Sequence, residues 1–126
     1  MQPVNLFDLA SQQARWLSVR QTAVAGNIAN ANTPGYATME VEPFEAVLDN
    51  TRVAMRTTDA RHINVGFGTD SLMVRQTNEN SPTMPSGNTV VVEDELMKSG
   101  EVRRHFELNT AIVKSFHRML MMTTRA

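Results

Sequence analysis

The side chains that could bind a metal ion or transfer a proton are few in this chain. His62, His105 and His117 lack the i, i+4 spacing that places two imidazoles on one helical face, and no carboxylate stands with them in a recognised ligand pattern. The absence of cysteine removes disulfides, thiolate metal ligands and thiol nucleophiles. We therefore expect surface histidines, no metal site and no cofactor.

Two further segments invite a catalytic or nucleotide-binding interpretation. Gly66-Phe67-Gly68 followed by Ser71 approaches a dinucleotide fingerprint, but it lacks the third glycine and the strand-to-helix context, so it reads as a loop. The acidic run Glu93-Asp94-Glu95 suits the first turn of a helix better than acid and base catalysis. We expect no catalytic residue, no small-molecule substrate and no enzyme, because the sequence indicates no convergent polar pocket.

Length and charge limit the function classes further. The chain has 126 residues, which suits a single structural unit, and 12 basic against 13 acidic residues leave a net charge of -1. A chain with this net charge has no overall positive electrostatic potential that would attract nucleic acid. The N-terminus lacks the features of a cleaved secretory signal and no window approaches a bilayer span, so we expect a chain that is soluble when made.

Apolar residues recur at three-, four- and seven-residue spacings near the N-terminus, which predicts an amphipathic helix over residues 5–31. Seven-residue spacing produces a seam that suits a partner helix. The polar residues Gln13, Arg20 and Asn27 interrupt the seam, where they could set the register or face a wet groove. The apolar members are Ala10, Leu17 and Val24 at one heptad position, Leu9 and Trp16 at the neighbouring one, and Ile28.

This helix should end near residues 30–32. Pro34 disfavours helical geometry at Thr33, and Gly35 tolerates the positive φ of a type II turn. Asparagine side chains before the stop can bind free carbonyl groups, which is ordinary C-terminal capping.

A second long amphipathic helix is expected over residues 92–124, with Gly100 as a weak point. Between the two helices, residues 32–91 form a central region with a short helical segment at 42–49 and an irregular mobile loop. Short apolar pieces at Val53–Met55, Ile63–Val65 and Leu72–Val74 could be small strands or extended loop segments. The predicted fold class is mainly α, with the terminal helices pairing as a coiled-coil-like hairpin. The apolar residues expected on the seam of the second helix are Phe106, Ile112, Val113, Phe116 and Leu120.

Several segments resemble the bacterial flagellar rod and hook proteins. Ser18-Val19-Arg20-Gln21 and the stretch from Ala25 to Tyr36 are similar to the N-terminal signature of that family. Thr58-Asp59-Ala60-Arg61-His62-Ile63, and Gly87-Asn88-Thr89-Val90 leading into Glu93-Asp94-Glu95-Leu96-Met97, resemble motifs of its proximal-rod subunits. The motif residues are Asn27, Ile28, Ala29, Asn30, Thr33, Pro34, Gly35 and Tyr36.

The resemblance implies a structural subunit of the flagellar basal body. Such a subunit is exported from the cytoplasm by the flagellar type III apparatus without signal cleavage, and it polymerises through its terminal helices into the periplasm-spanning rod that transmits torque. The implied partners are copies of itself, other rod subunits, a FliE-type basal-body adaptor and the type III export gate. The alternatives are another rod subunit, such as FlgC, or a soluble helical adaptor protein.

The family also uses a phenylalanine followed four residues later by an aliphatic residue to dock on the export gate. Phe44-Glu45-Ala46-Val47-Leu48 fits this pattern, so the resemblance implies docking through Phe44 and Leu48. The i, i+4 spacing places both side chains on one helical face. The same spacing is common in any short core helix, and core packing is the alternative interpretation.

Overall fold

The computed structural model describes residues 5–50, 74–76 and 82–125. Its elements are α1 (Leu6–Ala29), β1 (Met39–Val41), α2 (Phe44–Asn50), β2 (Val74–Gln76) and α3 (Val92–Thr124). The described part is mainly helical, the long terminal helices pack together, and a short helix lies between them in sequence. The predicted fold class is therefore confirmed. No helix in these ranges is both long and apolar enough to cross a membrane.

Both ends of α1 are capped by asparagine. At the start, the Asn5 side chain accepts a hydrogen bond of 3.1 Å from the Phe7 amide. At the end, the Asn30 side-chain amide donates to the Gly26 carbonyl at 2.8 Å. Gly35 then adopts a φ of +73°, and the Tyr36 amide donates to the Thr33 carbonyl at 3.3 Å. These are features of the type II turn predicted to follow the helix stop.

The helices α1 and α3 form an antiparallel hairpin. Near one end, the rings of Phe7 and Phe116 meet edge to face with centroids 5.4 Å apart. At the other end, the side chains of Asn27 and Glu95 are hydrogen-bonded. The apolar core of the described residues is small, and its buried members are Ala10, Leu17, Val24, Val41, Val90 and Val102.

A two-stranded sheet packs beside the hairpin, and of its two strands the sequence did not predict β1. Strand β1 contacts α1 and pairs antiparallel with β2, with Glu40 opposite Arg75. Strand β2 begins at the end of the apolar piece Leu72–Val74. The other proposed strand segments, Val53–Met55 and Ile63–Val65, lie outside the described residues.

Candidate assembly interface

Asn27 is the most connected polar residue of α1. Its side chain is buried, and its amide nitrogen donates to the Met39 carbonyl at 2.8 Å and to Glu95 Oε2 at 3.0 Å. Its Oδ1 accepts from the Met39 amide at 3.0 Å and from the Tyr36 hydroxyl at 3.3 Å. One side chain thus joins α1 to β1, to the turn after α1 and to α3.

Glu95 is the partner of Asn27 on α3 and is only 1% exposed. Lys98 Nζ lies 3.2 Å from Glu95 Oε1 and 3.6 Å from Glu40 Oε1, which brings a cation to the buried carboxylate. The sequence assigned the whole acidic run to the helix dipole. That assignment suits the exposed Glu93 and Asp94, but Glu95 instead makes specific contacts between elements.

Asn88 closes the end of α1 from a distant part of the chain. Its side-chain nitrogen lies 2.9 Å from the Asn30 carbonyl oxygen, 2.9 Å from that of Ala31 and 2.8 Å from that of Thr33. Its Oδ1 accepts from the Val90 amide at 2.7 Å. Carbonyl groups at a helix C-terminus lack partners within the helix, so Asn88 acts as a cap supplied by another segment.

Further hydrogen bonds connect the turn after α1 to the segment that contains Asn88. The Gly35 amide donates to the Ser86 carbonyl at 2.9 Å, and the Thr89 amide donates to the Tyr36 carbonyl at 3.1 Å. A Cβ added to Gly87, whose φ is +79°, would lie 3.4 Å from the Gly35 Cα. We call this set of contacts between residues 30–38 and 86–90 the clamp. The remaining family-motif residues of α1 and the turn are partly or fully exposed, namely Ile28, Ala29, Thr33 and Pro34.

Trp16 connects α1 to the central region. Its indole N–H donates to the Glu42 carbonyl at 2.7 Å, and its ring centroid lies 5.7 Å from that of Phe44. The Arg20 guanidinium carbon lies 5.5 Å from the Trp16 centroid, and Arg20 also forms a 3.2 Å ion pair with Glu101 of α3. Phe44 and Leu48, the proposed docking pair, are both partly buried.

The seam residues of the two helices differ in burial. On α1, Leu17 is 0% exposed and Val24 is buried, while Leu9, Trp16 and Ile28 are partly buried. On α3, Val113 and Phe116 are partly buried. Exposed fractions on that helix are 40% for Phe106, 45% for Ile112 and 42% for Leu120. The hairpin therefore does not bury these last residues, which face solvent in the single chain.

The buried face of α3 is formed by residues spaced seven positions apart, and the pattern of apolar residues in the sequence did not identify this face. Glu95, Val102 and Asn109 are buried, and Phe116 follows at the same spacing. Asn109 can be buried at low cost because its amide donates to the Ala10 carbonyl at 3.0 Å. The seven-residue spacing could have indicated this face from the sequence. Two of the residues, Glu95 and Asn109, are polar, so a search for apolar residues missed them.

An exposed apolar row runs along the C-terminal half of α3. Spacings of four, seven and three residues place its members on one helical face. We call it the outer row, and it consists of Leu108, Ile112, Met119 and Met122, all exposed.

The described residues contain no group of three or more histidine, cysteine, aspartate or glutamate side chains that could hold a metal ion. A small polar cavity of about 50 Å³ lies between β1 and the start of α3, where Glu40, Glu95 and Lys98 line it. Every buried side-chain nitrogen or oxygen in the described part has a hydrogen-bond partner. The polar groups brought together here thus satisfy one another and join structural elements.

Comparisons with known proteins identify the family of the chain. Residues 11–36, which cover most of α1 and the turn after it, match the family described as "Flagella basal body rod protein". The chain is 46% identical over 129 residues to the flagellar basal body rod protein FlgB of Agrobacterium fabrum (strain C58), across 99% of this chain and 96% of that protein. With this identity over nearly the full length, the chain belongs to the FlgB family of flagellar basal-body rod proteins, which are structural subunits of the rod.

Proposed function

We propose that this rod subunit is exported by the flagellar type III apparatus without signal cleavage and polymerises through α1 and α3 into the proximal, periplasm-spanning rod. The outer row of α3 is the observation that carries the assembly part of this proposal. Ile112 and Met119 lie on one helical face, and their exposed fractions are 45% and 56% in the single chain. Apolar residues arranged in this way suit burial against a neighbouring helix.

The small core supports the same mechanism. On α3, Val102 is the only apolar residue with a buried side chain, although the helix has 33 residues. Much of the apolar surface of this helix is therefore exposed in the single chain and available for burial against other subunits. Because a head-to-tail contact that does not close into a ring produces an open helical polymer, repetition of such contacts forms a tube. A tube whose seams are buried in every subunit transmits torque.

The proposed partners follow from this role. Copies of the subunit and other rod subunits would cover the outer row, and a FliE-type adaptor would meet one end of the assembly. The export gate would bind the chain before assembly, through Phe44 and Leu48. The contact between Phe44 and Trp16 in the folded subunit implies that the gate binds a chain in which this contact is not yet formed.

A pair of aspartate substitutions tests the assembly mechanism. Ile112→Asp should leave the purified subunit folded, because the side chain already faces solvent, yet rods should not assemble since the carboxylate would enter a dry interface. Leu17→Asp should instead unfold the hairpin, because Leu17 is 0% exposed. Circular dichroism of the purified subunit, electron microscopy of basal bodies and a motility assay give the three readouts.

Lys114→Glu, an exposed change on the same helix, is the control and should build rods. Export of the Ile112→Asp subunit should continue, because an unfolded chain presents no seam. Normal rods and normal swimming with Ile112→Asp would show that the outer row takes no part in assembly.

A further inference from the structure

The apolar residues between α1 and α3 do not by themselves fix how the two helices are aligned along their length. Ala10, Leu17 and Val24 repeat every seven residues on α1, and the facing row on α3 has the same repeat. A shift of α3 by one heptad would therefore return this row to the α1 seam, with Val102 and Phe116 again available to pack on it. The shift would move α3 by about 10 Å along α1, at roughly 1.5 Å per residue.

Buried polar contacts, in contrast, occur at single places along the hairpin. The Asn27 amide reaches Glu95 at 3.0 Å, and the Asn109 amide reaches the Ala10 carbonyl at 3.0 Å. Asn88 lies within 2.9 Å of each of its three carbonyl oxygens at the end of α1. A shifted alignment would separate Asn27 from Glu95, Asn88 from its three carbonyl oxygens and Asn109 from the Ala10 carbonyl. Loss of the first two contacts would leave buried polar groups without these hydrogen bonds, which is costly.

We propose that Glu95, Asn109 and Asn88 are the residues that specify the register of the α1–α3 hairpin. Register decides how far α3 extends past the Phe7–Phe116 contact, and thus where the outer row stands relative to α1. The connection to assembly rests on the function proposed above, whereas the register itself is a property of the single chain. A single buried asparagine sets register in coiled coils by the same penalty.

Apolar replacement of the polar row tests this assignment. Glu95→Leu combined with Asn109→Leu makes the row on α3 apolar at every heptad position while it leaves α1 unchanged. A second variant adds Asn88→Ser, which removes the amide from the clamp. Glu95→Gln is the matched control, because its side-chain oxygen can still accept from Asn27.

Register is read from the distance between two spin labels on the purified full-length chain. Cysteine is absent, so labels attach only at introduced Gln21→Cys and Arg104→Cys, which are exposed positions on α1 and α3. Pulsed electron spin resonance should give one distance for the parent and for Glu95→Gln. At least one of the apolar variants should give a second population, displaced by up to about 10 Å, while circular dichroism shows that helix content is retained.

One distance, equal to that of the parent, in both apolar variants would overturn the proposal. If the variant with Asn88→Ser fails to fold, the double-leucine variant tests Glu95 and Asn109 alone, and a single parental distance in it would overturn their part of the assignment. Basal-body assembly is then measured separately in cells. A subunit of mixed register that still builds rods would leave the register assignment in place and contradict the proposed link to assembly.

Discussion

At the scale of single residues, asparagine has an unusually large structural role in this chain. Asn5 and Asn30 cap the two ends of α1 through local bonds, whereas Asn27 and Asn88 reach across the fold. A side-chain amide offers two donors and an acceptor, so one residue can satisfy several backbone groups that a helix end leaves open. The stability of the C-terminal end of α1 therefore depends on a few side chains.

Asn88→Ala should lower the free energy of unfolding by about 2 to 4 kcal/mol, because the Ala31 carbonyl and the Val90 amide lose their partner. The Asn30 and Thr33 carbonyls lose one of two donors and keep only a backbone amide. Urea unfolding followed by the fluorescence of Trp16, the single tryptophan, measures the change. The control Asn32→Ala removes an exposed asparagine and should stay within about 0.5 kcal/mol of the parent. Equal losses in both variants would contradict the capping role of Asn88.

Gly100 and Gly35 should respond in opposite directions to alanine. Among the described residues, no atom that could obstruct an added Cβ lies within 4 Å of that position at Gly100, so Gly100→Ala should stabilise the protein by about 1 kcal/mol through helix propensity. Gly35 has a φ of +73°, so Gly35→Ala should cost about 1 to 2 kcal/mol. Thermal unfolding measures both. A loss of stability with Gly100→Ala would contradict this prediction and indicate that the folded subunit requires glycine at position 100 of α3.

At the scale of elements, α2 depends on α1 for its position. A helix of 7 residues is marginal alone, and its first residue packs against Trp16, whose indole also holds the Glu42 carbonyl. Phe44 therefore has a packing role in the folded subunit, whatever it does before assembly. The two roles belong to different states of the chain, so they can be separated experimentally.

Phe44→Ala combined with Leu48→Ala should reduce the amount of subunit outside the cytoplasm while the amount inside stays near normal, if the pair docks on the export gate. Immunoblots of secreted and cellular fractions measure both amounts. Glu45→Ala, an exposed change in the same helix, should be secreted like the parent. Loss of cellular protein would favour core packing as the main role, and unchanged secretion and motility would remove the docking hypothesis.

At the scale of the whole molecule, the described subunit is stabilised mainly at one end of the hairpin. The clamp, the Asn27–Glu95 contact and the contact of β1 with α1 all lie near the end of α1 and the start of α3. Met119, Leu120, Met121 and Met122, at the opposite end of α3, are exposed. Few buried contacts there imply easy local opening in a free subunit.

Amide hydrogen exchange should follow this asymmetry. Residues 117–124 should exchange fast in the dilute subunit, while residues 88–102 exchange more slowly because Asn88, Val90 and Val102 are buried. In isolated basal bodies the 117–124 segment should become protected, since neighbouring subunits would cover it. Strong protection of this segment in the free subunit, independent of concentration, would contradict assembly through the end of α3.

The sequence alone determined the positions of the long helices, the stop after α1 and the family, because helix periodicity, proline–glycine turns and motif residues are local signals. It did not determine which face of α3 meets α1. Apolar periodicity favoured Ile112, which is exposed, over Asn109, which is buried. Only the tertiary structure decided this, because a buried polar residue is tolerated where a distant partner satisfies it, and the partners of Asn88, Glu95 and Asn109 lie far away in sequence.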